Sequence, residues 1–386
     1  MGVIRAQPLR INDWAAKSVG AAWRAFDLQL TTYAALLLAV GLVMAYTNSV
    51  EDGVVPIDAG TTFTRGLMWA AIAVIVFVVA TAFDYHWLKT LAWPIYAFQI
   101  GLLVLTLAVG TGVGSSSRWV TLGPLTFQFS EIAKILMIIV LAAYLAGRQG
   151  RLNSLPPLIG ACLLVGPPLA LVMLQPDLGT SLVFAAILAG MLWMSGASLR
   201  WLTVLAVGVA AMVPVAWTYL LRDYQKARLE GFFNAAPDIQ GAGFQLHQAQ
   251  IAVGAGGFIG KGLTNGTQTQ GAYLPVQATD FVFATLAEEL GFIGGIVLFL
   301  LFVLLLWRVL VAGWRSRDAF GTLFAAGVAS MILFQLVVNV GMVLGIMPIT
   351  GIRLPFVTHG GASLVSMAAG LGILQSINIR QTRAAW

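Results

Sequence analysis

Apolar runs separated by short polar connections dominate the chain. They fall at about 30–47, 66–83, 91–110, 131–146, 156–174, 180–196, 202–221, 281–307, 319–345 and 360–377. Most match the roughly 17–25 residues that carry a helix across a hydrocarbon core of about 30 Å. A helix satisfies its own backbone polar groups inside a bilayer, so such runs predict helices. The pattern therefore predicts an all-α integral membrane protein with about ten transmembrane helices. One interval differs: 222–280 is a long polar, Gly- and Gln-rich loop between helices 7 and 8. Apolar positions within its FQLHQAQIAVGAGGFIG stretch predict short interfacial or re-entrant helices. With no solenoid-period repeat or linker composition, the expected organisation is one membrane domain, 30–377. A segment at 1–29 and a tail at 378–386 flank it.

Composition excludes a soluble domain, because 59% of the 386 residues are hydrophobic and 9% charged, against about 25% charged in soluble proteins. The net charge of +6 sits between apolar runs, where it reports topology and not nucleic-acid binding. Thirteen Lys and Arg against four acidic residues fall on the side carrying both termini, while acids outnumber bases on the other. Orientation follows the Lys/Arg excess, which places both termini in the cytoplasm. Residues 1–29 lack an apolar core, so a cleavable signal peptide is not expected. Cys162, the only cysteine, excludes an intrachain disulfide or a cysteine-based metal cluster.

Ionisable residues in or beside spans cost about 2.5–3.5 kcal/mol each on insertion scales, so each needs a reason. Glu131 and Lys134 lie three apart on neighbouring positions of one helix face. Asp177 stands in QPDLGT, between spans five and six. Asp280 opens span eight, with Glu288 and Glu289 one to two turns deeper. Converging, these segments would form a polar cavity, with Lys134 balancing Glu131 or Asp177. An ion-pair network that only fixes helix packing is the competing reading. At 100° per residue Glu288 lies about 80° from Asp280 and Glu289 on the opposite face, so Glu288 is the better candidate to share a site. The long loop ends on Asp280 just as an apolar run begins, which would desolvate its carboxylate and suit it to general-base work.

GAGGFIGKG at 254–262 is not a P-loop, because Ala255 takes the first Gly position of G-x-x-x-x-G-K-[ST] and Gly262 follows Lys261. Lys261, Arg228, Lys226 and Arg222 nevertheless put four cations on this loop, able to hold a diphosphate or to anchor at headgroups. His86, His247 and His359 show no metal spacing. Trp69, Trp87, Trp93, Trp193 and Trp201 fall near span ends, as in an aromatic belt.

Five segments, RWVTLGPLTFQFSEIAK (118–134), QPDLGT (175–180), FQLHQAQIAVGAGGFIGKGL (244–263), YLPVQATDFVFATLAEELGFIGG (273–295) and MPITGIRLPFVTHGGASL (347–364), resemble in the same order the signatures of the SEDS (shape, elongation, division and sporulation) family. The similarity covers about 30–380. It implies a peptidoglycan glycosyltransferase that polymerises lipid II, the undecaprenyl-diphosphate-linked precursor, at the outer face of the bacterial cytoplasmic membrane. The family's catalytic aspartate maps onto Asp280; its cavity positions map onto Glu131, Lys134 and Asp177, and its RW arginine onto Arg118. Members work with a class B penicillin-binding protein and depend on a divalent cation, Mg²⁺ or Mn²⁺. Phe129, Val276, Ala278, Thr358 and His359 depart from the family pattern. PITGIRLPF is closer to RodA than to FtsW. A lipid II flippase, also many-spanning with a polar cavity, and a noncatalytic scaffold are the rival functions.

Overall fold

The computed structural model describes residues 25–50, 61–111, 118–122, 125–233, 242–271, 279–358 and 360–381. Among the described residues ten long apolar helices form the body: α1 (Leu28–Thr47), α2 (Thr62–Ala82), α4 (Ala92–Val109), α5 (Phe129–Ala146), α6 (Leu155–Leu174), α7 (Leu178–Met194), α8 (Leu199–Val215), α12 (Val282–Arg315), α13 (Ala319–Val343) and α14 (Gly361–Gln381). Short α3 (Tyr85–Thr90) links α2 to α4. Most spans lie within a few residues of their apolar runs, while α12 runs on to Arg315 past the expected 307 and α8 ends at Val215 before the expected 221. Nine meet the length and apolarity of a crossing helix, and α7 is an apolar helix slightly shorter. The chain is thus a multi-pass, all-α membrane protein.

Side-chain caps set several helix starts. The Asp27 carboxylate accepts from Leu30 N at 3.0 Å and that of Asp318 from Gly321 N at 3.1 Å, satisfying backbone donors that a first turn leaves open. Helices α5, α13 and α14 form the buried centre, while α8 buries no residue fully and touches the core only through half-buried side chains such as Trp201, Leu202 and Leu205. Large apolar side chains facing outward, such as Leu163, Val207 and Ile75, would be a liability in water and suit a hydrocarbon surround.

Alternating crossings place the starts of α5, α7, α12 and α14 at one end of the bundle. That end also carries a feature the apolar pattern did not predict, an antiparallel hairpin of β1 (Val120–Leu122) and β2 (Leu125–Phe127). The long connection contains α9 (Asp223–Phe233), α10 (Ala242–Gly256) and α11 (Thr267–Gln270), so the expected short helices are present.

Helix α12 corrects the expectation of an unbroken eighth span, because Gly291 leaves helical geometry at φ 65°, ψ −163°. A Cβ at Gly291 would stand 2.3 Å from Gly260 N, so only glycine fits this close backbone approach. The break lets two segments of the chain zip together. Lys261 N donates to Glu288 O and Gly262 N to Glu289 O, both at 3.0 Å, while Phe292 N donates to Gly257 O at 2.9 Å. The glycine-rich GAGGFIGKG stretch is therefore a backbone seam. At the opposite end of the bundle, Arg308 Nε donates to Asp27 Oδ2 at 3.0 Å, and Gln375 bonds Asp27 from α14.

Candidate active site

Asp280 lies in the turn that enters α12, not on the helix, so the helical angle expected between it and Glu288 does not apply. Two side chains clamp this turn. Asn339 Nδ2, from α13, donates to Asp280 O at 3.0 Å and to Ile352 O at 2.7 Å. Thr358 Oγ1 donates to Thr279 O at 3.2 Å and accepts from Leu354 N at 2.9 Å. The Asp280 carboxyl is left facing a cavity of about 340 Å³, also lined by Arg118, Gln128, Glu131, Lys134, Asp177, Thr180, Arg228, Gln335 and Arg353.

The fixed charges of the cavity divide their work. Lys134 Nζ donates to Glu131 Oε2 at 2.7 Å, with both side chains buried, which decides between the two partners open to Lys134. Asp177 caps α7 through Thr180 N at 3.1 Å, and its Oδ2 accepts from Thr180 Oγ1 at 2.8 Å and Gln128 Nε2 at 2.9 Å. Arg118 donates through Nε to Gln175 O at 3.2 Å and also reaches Pro176 O, tying the hairpin strand to the α6–α7 turn. Asp280 is thus the carboxylate in this cavity whose environment suits proton transfer. Burial raises its pKa above the ordinary aspartate value, although the charges of Arg353, Arg228 and Arg118 and a Thr279 hydrogen bond pull the other way.

Five of the residues singled out from sequence therefore converge: Asp280, Glu131, Lys134, Asp177 and Arg118. Lys261 and Glu288 do not line this cavity. They pair with each other at 3.0 Å, and Glu288 also accepts from Gln268 N, Thr269 N and Thr269 Oγ1 at 3.0, 3.1 and 2.9 Å. This carboxylate is thus the anchor of the 261–270 segment. Of the four loop cations proposed as diphosphate holders, Arg228 reaches the cavity. Arg353, Gln128 and Gln335 line it without having been singled out. Their signal was weak, because each sits in or beside an apolar stretch and matters only once distant segments meet.

A second cavity of about 270 Å³ lies beside the first, and both are lined by Trp119 and Thr279. Its wall is apolar along α1 and α2, with Leu38, Leu42 and Trp69, and polar at Arg65, Thr62 and Thr126. Trp69 packs edge-on to Phe127 at 5.3 Å, so it is part of this groove and more than a belt residue.

The expected divalent cation finds a poor fit in the protein's own ligands. Among the described residues no group of three or more His, Cys, Asp or Glu gathers as a metal site. Glu131 is ion-paired and Asp177 is filled with hydrogen bonds. His86 sits against Asp84 at 2.8 Å on an exposed helix start, His247 is exposed, and His359 lies outside the described residues.

Comparison with known proteins gives consistent likenesses. A family model described as a cell cycle protein of the FtsW, RodA and SpoVE type matches residues 28–383. Peptidoglycan glycosyltransferase MrdB of Escherichia coli (strain K12) is 41% identical over 284 residues, 74% of this chain and 76% of that protein. Stage V sporulation protein E of Bacillus subtilis (strain 168) is 36% identical over 91% of this chain and 96% of its own. Among solved structures, a chain of a peptidoglycan synthase complex that coordinates polymerization and crosslinking superposes with a TM-score of 0.79 at 31% identity, covering 92% of this chain and 98% of that one. The rod shape determining protein RodA of Thermus thermophilus superposes at 0.68 with 28% identity, over 93% and 98%.

Proposed function

The chain belongs to the FtsW, RodA and SpoVE family and is a peptidoglycan glycosyltransferase, and from that premise we propose that it polymerises lipid II with Asp280 as the general base. The observation that carries this is the Asp280 carboxylate facing a cavity lined by three arginines, Arg118, Arg228 and Arg353. In the step, Asp280 takes the proton from the 4-hydroxyl of the acceptor sugar. That oxygen forms the new bond to the anomeric carbon of the donor. The carbon–oxygen bond to the lipid diphosphate breaks, and the leaving group departs with the electron pair. A diphosphate is already a stable anion, so it needs neutralisation more than a proton. One base and one anion site are then enough, and the paired carboxylates of glycosidases are not required.

The apolar groove beside Trp119 suits the donor's lipid tail, with its polar rim turned toward the diphosphate. The proposed setting is the bacterial cytoplasmic membrane, and the Lys/Arg distribution supports an orientation with both termini in the cytoplasm and Asp280 at the outer face. A class B penicillin-binding protein is the proposed partner, in keeping with the synthase complex to which the chain is similar. A divalent cation, Mg²⁺ or Mn²⁺, stays in the proposal as a requirement that chelation would expose, and no step is assigned to it. The placement of Asp280 at a bundle end, and not midway along a helix, favours polymerisation over lipid transport.

The test is incubation of the purified protein, with and without a class B partner, on lipid II in detergent. A glycan ladder on a gel that disappears in Asp280→Asn is the expected result. A folded Asp280→Asn protein that builds polymer at the wild-type rate would falsify the assignment.

A further inference from the structure

Arg353 occupies an unusual position for a charged side chain. It follows Gly351 in the loop between α13 and α14 and is only 8% exposed. Its Nη1 is buried with no hydrogen-bond partner among the described residues. One face of the guanidinium lies over the Trp119 ring, with Cζ 4.9 Å from the centroid. Gly360 clears room on another side, since a Cβ there would come within 2.6 Å of Nη1. The group lines the Asp280 cavity. A buried guanidinium without a bidentate partner is costly unless a ligand completes it.

The charges around it point to an anion. Four cations (Arg118, Arg228, Arg353, Lys134) face three carboxylates (Glu131, Asp177, Asp280) in this cavity. Lys134 and Glu131 neutralise each other, and Asp177 is occupied as a helix cap. The remaining surplus is guanidinium, whose planar fork matches phosphate oxygens two at a time.

We infer that Arg353 grips the diphosphate of the lipid-linked donor, with Trp119 fixing the plane of its guanidinium and Arg228 flanking the same anion. This rests on the glycosyltransferase reading and adds the residue that holds the leaving group. Arg353 neutralises charge as the bond to the anomeric carbon breaks, within the cavity where Asp280 receives the proton.

The experiment uses the full-length chain purified in detergent, with farnesyl diphosphate, farnesyl monophosphate and inorganic pyrophosphate as binding probes. Wild type should bind farnesyl diphosphate more tightly than the monophosphate. Arg353→Gln should weaken the diphosphate about 10- to 100-fold, the range of a lost charged hydrogen-bond pair, and erase that preference. Arg353→Lys keeps the charge without the fork and should recover part of the affinity; it also serves if Arg353→Gln does not fold. Inorganic pyrophosphate losing affinity in parallel shows that the anion itself is the element recognised. A pyrophosphate affinity that Arg353→Gln leaves intact overturns the inference.

Farnesyl diphosphate binding equal to wild type in folded Arg353→Gln, or in Arg353→Lys where that is the variant that folds, also overturns it. Lipid II polymerisation is measured on the same preparations. Wild type that binds the diphosphate but makes no polymer defeats the glycosyltransferase step and leaves the anion site standing. Wild type that polymerises while the variants bind normally defeats the Arg353 assignment alone.

Discussion

Lys134 donates to Glu131 across 2.7 Å, one turn further along α5, with side chains 1% and 6% exposed. Removing one member of such a pair strands a charge in a medium of low dielectric, at a typical cost of about 3–5 kcal/mol. Lys134→Met should therefore lower the thermal unfolding midpoint in detergent sharply. Adding Glu131→Gln should restore much of it, because the stranded charge is gone. A double variant no more stable than Lys134→Met would show that the pair does not account for the loss.

With Asp280 as the proposed general base, its protonation sets the expected pH response. A general base works only when ionised, so polymerisation falls as pH drops through its pKa. Burial lifts that pKa above the usual aspartate value of about 3.9, and the acid limb of the rate profile should lie correspondingly higher. Arg353 is among the cations that pull the pKa down. Its replacement by Gln should move the limb further toward neutral pH. A rate profile flat down to the ordinary carboxylate range would contradict the role given to this residue.

Glu288 predicts a different outcome, since it anchors Lys261, Thr267, Gln268 and Thr269 and does not line the cavity. Glu288→Ala leaves the two buried donors of Thr269, and partly buried ones on Lys261, Thr267 and Gln268, without this acceptor. The 261–270 segment should become sensitive to limited proteolysis, with cleavage fragments mapping there by mass spectrometry. Protection equal to wild type would mean that other contacts hold the segment.

Gly291→Ala should destabilise the chain, since its φ of 65° disfavours any side chain and a Cβ would meet the backbone of Ile259 and Gly260. The readout is a lower unfolding midpoint. A variant as stable as wild type would show that the seam yields easily.

Much of this architecture was legible because the solvent is lipid. A bilayer demands long apolar helices, so runs such as 156–174 announce themselves, and charges such as Glu131 and Lys134 stand out against them. The hairpin did not announce itself, because three-residue strands carry almost no periodic signal. Nor did the break at Gly291, which is visible only when residues 257–262 are laid against it. Arg353 went unmarked for a related reason: its role depends on Trp119 and Asp280 arriving from segments far away in the chain.

The paired backbones at 257–262 and 288–293 have a mechanical consequence. Nothing slides at such a junction, since each strand of it supplies the other's hydrogen-bond partners. Force applied to α10 is delivered to the short helical stretch before Gly291, whose leading end is the Asp280 turn. Any protein that leans on this outcrop holds a lever whose far arm carries the carboxylate proposed as the base.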